Sequence, residues 1–327
     1  MLAMRLSKLL NGSWDKAGIG AKINIPRLQQ VTFPHKPVHL PLEKLTRMAD
    51  RYFTRQQFIA KFPEEAILAA DVYNRMTGSG FPEYALAEFD VYFISDAQEK
   101  LERLAAFLTA VYGMKTKSIS LQNGQWELET LSPKFPVDAD NLLCWAIDLA
   151  IKGYEHDCRL DGYGTFAGAD SKEFQDESTG RLAHYFELAM ESYRQRNFGA
   201  AVINFTTAIR IFPENANSWY SRAIAKEEIL LGAKAREDYD KAISLSPEFK
   251  EAYINRAVNK DDAGEYEAAL QDYNKAIELD ALNPIVYFNR GNTRQHLGDQ
   301  AGACSDWKKA KDLGAEYAGA KLEEYCK

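Results

Sequence analysis

The chain has 327 residues, 46% hydrophobic and 27% charged, with a formal net charge of −7 at pH 7. That length suits two domains or more, with cores large enough to need no staples. Arg5 and Lys8 interrupt the first apolar run, and Asp148 interrupts the longest later one, LLCWAIDLAI, which excludes a signal-peptide core and a bilayer span. The four cysteines, Cys144, Cys158, Cys304 and Cys326, have neither metal nor disulfide spacing. They are expected to be small core residues of a cytoplasmic protein.

Residues 1–80 form a front extension with 12 Lys and Arg against 6 Asp and Glu, ahead of two acidic blocks. No Lys/Arg cluster occurs in it, so a solvated surface is expected rather than direct nucleic-acid binding. GAKINIPRLQQVTFPHKPVHLP, with Pro26, Pro34, Pro37 and Pro41, reads as extended coil. His35 and His39 have no carboxylate or cysteine nearby, so they are expected to be loop histidines, not metal ligands. LPLEKLTRMADRYFTRQQFIAKFPEEAILAADVYNRM reads as two or three amphipathic helices broken at Pro63.

Residues 81–170 alternate strand and helix patterns. EFDVYFI puts Phe89, Val91 and Phe93 on one face of a strand. Ser95 and Gln98 have capping-box spacing, and Leu101, Leu104, Ala105, Leu108 and Val111 trace a helical stripe that Gly113 ends. KSISLQ and QWELET flank Asn123-Gly124 as a hairpin. PVDADNLLCWAIDLAIKG reads as a second capped helix ending at Gly153. YEHDCRL then reads as a last strand, with Tyr154, His156, Cys158 and Leu160 on one face. The order βαββαβ predicts a ferredoxin-like sandwich.

The segment LDGYGT closes this region. It lacks the lysine and following helix of a phosphate loop, the membrane span of an ion filter, and the base and orienter of a catalytic turn. Its glycines are expected to permit a sharp turn at positive φ, with Tyr163 packed or presented at the sheet edge. ISDAQEKLERLAAFL, NLLCWAIDLAIKGYEHDC and CRLDGYGT together resemble the RraB-type ribonuclease E inhibitor family over about residues 85–170. Asp161, Gly162, Tyr163 and Gly164 carry its sharpest motif. The resemblance implies a non-enzymatic regulator of an RNA-processing endoribonuclease.

Residues 171–181 read as a linker, and a 34-residue period begins at 182. Alanine recurs at Ala201, Ala235, Ala269 and Ala303, and again at Ala208, Ala242, Ala276 and Ala310. Phe205, Tyr239, Tyr273 and Trp307 lie between them. Tyr185, Trp219, Tyr253 and Tyr287 come upstream, followed by Ala189, Ala223, Ala257 and Gly291. Small residues let two antiparallel helices cross closely, and a ring fills the gap to the next pair. Gly264 and Gly298 mark inter-helix turns where Arg196 and Leu230 stand in the earlier units, leaving those helix ends less defined. AEYAGAKLEEYC reads as a solvating cap.

The pattern resembles the tetratricopeptide repeat (TPR) family across four units, whose concave face, lined by first helices, binds proteins. Carrying over its groove positions gives Phe186 and Met190, then Tyr220, Ile224, Glu227 and Glu228. The third unit gives Glu251, Ile254, Val258, Asp261 and Asp262, and the fourth gives Phe288, Asn292 and His296. Such a groove suits an apolar peptide with basic residues, without a cofactor. The expected architecture is α+β: a ferredoxin-like sandwich followed by an all-α TPR solenoid, with a partly helical extension in front. The expected function is a non-enzymatic adaptor or regulator. Its rivals are a nuclease inhibitor acting through the sandwich, and an enzyme using His156, Cys158 and Asp161.

Overall fold

The computed structural model describes residues 51–172, 174 and 182–326, and a short antiparallel pair, β1 (Lys22–Ile23) and β2 (Val31–Thr32). The remaining expectations for residues 1–50, His35 and His39 among them, lie outside the described residues. α1 (Arg55–Gly78) runs through Pro63 without the expected break, and residues 40–50 of that segment lie outside the described residues. Proline removes one backbone donor, but Phe58, Phe62, Ala69, Val72 and Met76 bury a common face on both sides of it. Thr54 and Gln57 close the helix start as a capping box.

The next elements are β3 (Leu86–Ala87), β4 (Asp90–Ser95), α2 (Gln98–Tyr112), β5 (Lys115–Gln122), β6 (Gln125–Leu131), β7 (Phe135–Pro136), α3 (Ala139–Glu155) and β8 (Arg159–Gly164). Four strands make one antiparallel sheet in the order β5-β6-β4-β8, while β3 pairs with β7. Alternation sends Val91, Phe93 and Leu128 inward, against Leu101, Leu104 and Leu108 of α2 and Leu142, Trp145 and Leu149 of α3. The hairpin turns at Asn123 and Gly124, with φ 49° and 82°.

Three local expectations change here. Ala97 caps α2 without a side-chain bond, because Ser95 Oγ instead donates to the Asp157 carbonyl at 3.0 Å. α3 continues past Gly153 to Glu155, so Tyr154, His156 and Cys158 do not alternate along a strand; Asp157 turns the chain at φ 58° and β8 starts at Arg159. Gly153 serves close packing rather than a helix stop, since a Cβ there would lie 3.1 Å from both the Phe93 ring and the Cys158 carbonyl. Finally, Asp161-Gly162-Tyr163-Gly164 is no sharp turn. All four lie in β8, neither glycine has positive φ, and a register shift opposite Tyr92 and Phe93 leaves Asp161 as the extra residue of a bulge. Tyr163 packs in the core against Phe89 and Trp145.

Four antiparallel helix pairs follow: α4 (Leu182–Arg194) with α5 (Phe198–Ile211), α6 (Ala216–Glu228) with α7 (Gly232–Leu245), α8 (Lys250–Asp262) with α9 (Tyr266–Leu279), and α10 (Pro284–His296) with α11 (Gln300–Asp312). α12 (Ala318–Tyr325) closes the array. The crossing alanines and the four rings between them are buried. Arg196 and Leu230 adopt φ 63° and 64°, close to the 76° and 81° of Gly264 and Gly298, so the first two units turn as the others do, at a strain cost of about 1–2 kcal/mol each. Cys304 and Cys326, expected as free thiols, form a disulfide, because α12 folds back along α11. Cys144 and Cys158 are buried thiols. Among the described residues no helix is long and apolar enough to cross a membrane.

The sheet and the first repeat share α3 as a wall. Its Leu142, Trp145 and Leu149 face the sheet core, whereas Cys144 and Ile147 join the cluster of Phe186, Met190, Phe198 and Val202. Asp148, fully buried, accepts hydrogen bonds from Tyr112 Oη and from the Gly199 amide at the start of α5, both at 2.8 Å. Asp140 lies 2.8 Å from Lys226 Nζ and 2.7 Å from Lys234 Nζ.

Candidate functional site

Among the first helices of the pairs, α6, α8 and α10 carry a cationic row, and α6 and α8 carry a carboxylate row on the other side. The cationic row is consumed internally. Arg222 makes two hydrogen bonds to Asp238 of α7, at 2.8 and 2.6 Å; Arg256 does the same to Asp272 of α9, and Arg290 to Asp306 of α11 at 2.9 and 2.7 Å. One turn on, Lys226, Lys260 and Arg294 reach the same three aspartates at 3.0, 2.7 and 2.9 Å. Each leading arginine also donates to the preceding unit's second helix, at Thr206, Asp240 or Asn274. Sequence reasoning missed this ladder, although Arg, Lys or Arg four residues on, and Asp sixteen on recur at the 34-residue period.

The other row is carboxylate. Glu227 accepts from Tyr239 Oη and from Asn259 Nδ2 of the next first helix, both at 2.9 Å. Asp261 repeats the arrangement with Tyr273 Oη at 2.9 Å and Thr293 Oγ1 at 2.7 Å. Burial pushes the Glu227 carboxyl up to about 7 and that of Asp261 up to about 6, against the lowering effect of those donors. Burial also raises the half-buried Glu251. Glu228 and Asp262 are exposed, and Glu228 accepts from Tyr193 Oη at 2.9 Å.

The remaining groove positions divide by burial. Phe186, Met190, Tyr220, Ile254 and Phe288 are buried between helices, while Ile224 and Val258 are half-buried. Asn292 Oδ1 accepts from Trp307 Nε1 at 3.2 Å, and the exposed His296 stacks on Tyr266 with ring centroids 5.0 Å apart. The surface offered by these residues is therefore an acidic edge with short aliphatic contacts, the larger apolar groups lying beneath it.

His156, Cys158 and Asp161 are not assembled as nucleophile, base and orienter. His156 Nδ1 bonds the Lys152 carbonyl at 2.9 Å and its ring lies on Phe107. Burial pushes the Cys158 thiol up to about 12, so it holds its proton at neutral pH. Asp161 is paired with Arg159 at 2.7 Å in the bulge of β8.

Residues 262–298 match the TPR repeat family, so a TPR repeat is present in the chain. No curated protein matches the chain. Solved structures similar to it include MamA, residues 41 to the end, from Desulfovibrio magneticus RS-1, at 15% identity over 42% of this chain and 77% of that one, with a TM-score of 0.40. The first TPR of Spaghetti (RPAP3), bound to an HSP90 peptide, is 22% identical over 36% and 93% of the two chains, with a TM-score of 0.35. The Arabidopsis OM64 TPR domain is 24% identical over 35% and 95%, with a TM-score of 0.34.

Proposed function

We propose that the protein is a non-enzymatic adaptor or regulator that holds an apolar, basic segment of a partner protein along the first helices of its repeats. The separation of charge on those helices carries the proposal. Their arginines and lysines are engaged internally, each pair by Asp238, Asp272 or Asp306 and by a further carboxylate, Asp140, Asp240 or Asp299, while Glu227, Glu228, Glu251, Asp261 and Asp262 form the opposite row. The exposed Glu228 and Asp262, one turn from Ile224 and Val258, make that edge complementary to cationic side chains with apolar neighbours. Anisotropy titrations with labelled peptides test it. A Lys/Leu-rich peptide binds, its Glu/Leu counterpart does not, and Glu228→Lys with Asp262→Lys weakens binding at least about tenfold, while the lost Tyr193 bond lowers stability by about 1 kcal/mol. Equal affinity for both peptides would refute the proposal.

The sheet order β5-β6-β4-β8, with α2 and α3 covering one face, supports assigning residues 81–170 to the ferredoxin-like sandwiches. It thereby keeps the RraB resemblance as a second reading, regulation of a ribonuclease E-like endoribonuclease. Cleavage by such a nuclease at equal rates with and without an excess of this protein would remove it. The working division is a front segment (1–80), the sandwich (81–170), a linker (171–181) and the array (182–327). A cytoplasmic setting belongs to the same proposal, resting on the buried thiols Cys144 and Cys158 and no longer on Cys304 and Cys326, and cell fractionation checks it.

A further inference from the structure

The C-terminal end of the array is closed by a short helix whose apolar hold is Leu322, packed on the Trp307 cluster, and the Tyr325 ring, 5.8 Å from that of Trp307. α12 has eight residues, no side-chain cap at its start, and only Ala318 among its buried residues. An isolated helix of that length does not persist in water. Its other attachments include a bond from Gln300 Nε2 to the Tyr325 carbonyl at 2.9 Å, and the Lys321 ammonium over the Trp307 and Tyr325 rings at 5.5 and 4.9 Å. The disulfide from Cys304 to Cys326 ties its end to α11 across a sequence separation of 22. Trp307 is fully buried, and Tyr317 at the start of α12 meets the buried Phe288 edge-on at 4.8 Å.

We infer that the Cys304–Cys326 bond is a redox latch that decides whether α12 covers the end of the array. Both cysteines are half-buried, whereas Cys144 and Cys158 are enclosed, so a small dithiol reaches this bond and finds no other. One thiolate of the dithiol attacks a protein sulfur, forms a mixed disulfide and releases the other cysteine, which takes up a proton. The second thiol of the reagent then closes its own disulfide and releases the remaining cysteine as a thiol. Two electrons and two protons pass to the protein, and the dithiol is oxidised. An external disulfide such as oxidised glutathione reverses the exchange. Without the bond, the weak contacts of α12 no longer hold it, and Trp307 and Phe288 are uncovered. Phe288 lies on a first helix, so the open state adds one aromatic position to the proposed groove. That last consequence rests on the groove; the latch does not.

Hydrogen exchange on the full chain, oxidised and then treated with dithiothreitol, tests the latch. The expected result is a loss of amide protection of about a hundredfold along residues 313–326, with α4 to α9 unchanged. Cys326→Ser shows the same loss without the dithiol, and Cys304 becomes open to thiol labelling. Equal protection of α12 in both states overturns the inference, as does failure of the bond to form under excess oxidised glutathione. If α12 opens but a Lys/Leu-rich peptide binds equally in both states, the latch stands and its link to the groove falls. If no such peptide binds in either state, the groove itself falls.

Discussion

Replacing Gly291 by alanine would place a methyl carbon 2.6 Å from Trp307 Nε1, 2.7 Å from its Cδ1 and 3.2 Å from the Ala303 carbonyl. The other units carry alanine at this position, Ala189, Ala223 and Ala257, but face it with the smaller rings of Phe205, Tyr239 and Tyr273. The fourth unit has the largest ring and the smallest partner. Trp307 is fully buried and donates to Asn292, so the indole has no room to swing aside. Overpacking by one methyl costs about 1–3 kcal/mol, and the better helix propensity of alanine returns about 1 kcal/mol. Gly291→Ala is therefore expected to destabilise the protein by about 1 kcal/mol. Trp307→Tyr alone leaves a gap and costs about 1–3 kcal/mol. The double variant recreates the pairing of the second and third units, so it should lose less than the sum of the two by about 1–2 kcal/mol. Urea titrations followed by circular dichroism on all four proteins measure the cycle. A Gly291→Ala protein that gains stability, with no coupling to Trp307→Tyr, would show that ring size and crossing residue are unrelated.

Asp148→Asn should flatten the pH dependence of stability. Burial raises the Asp148 carboxyl to about 6 from 3.8, so the native state holds this proton more tightly than the unfolded chain. The associated stability is complete below about pH 4 and lost as pH rises through about 6, amounting to roughly 2–3 kcal/mol. A variant whose melting falls across that window as steeply as the wild type contradicts the assignment. Ala276→Leu should cost about 1–3 kcal/mol by overpacking the crossing of α8 and α9, and an unchanged melting temperature would argue against the helix register. Gly162→Val, which a tight turn would forbid, should shift stability by no more than about 0.5 kcal/mol, because a Cβ there meets nothing within 4 Å and the residue lies in a strand. A large loss in a thermal melt would mean that the bulge of β8 depends on that glycine.

The repeats were legible because each unit meets only its neighbours, so spacing along the chain maps directly onto contact. The eight crossing alanines and four rings could be read that way. The charge ladder uses the same period, yet arginine, lysine and aspartate normally signal a solvated surface, and nothing local marks Arg222 or Asp238 as buried. Which first-helix residues stay open was harder still: Tyr220 and Phe288 sit at groove positions, but Phe249 and Tyr317 lie over them from the next element. The end of α3 was misread because Tyr154, His156 and Cys158 alternate with charged residues as a strand would. Their fate is decided by the Asp157 carboxylate, which receives the Tyr52 and Phe53 amides and the Lys100 ammonium from far along the chain. The disulfide was invisible because its spacing acquires meaning only once α12 has folded back.

A helical array has two ends, and each is a boundary where a stacking partner is missing. At the C-terminal boundary this chain supplies an eight-residue helix and a disulfide. At the N-terminal boundary it supplies α3, whose far side is already the core of a sheet. The two boundary conditions are therefore unequal. Unfolding is expected to spread inward from the C-terminal end, because freeing the first two units from α3 means breaking Asp148 from Gly199 and Asp140 from Lys226 and Lys234. A fragment cut at the linker would face water with Phe198 and Val202, so the array's independence as a module ends at its first pair.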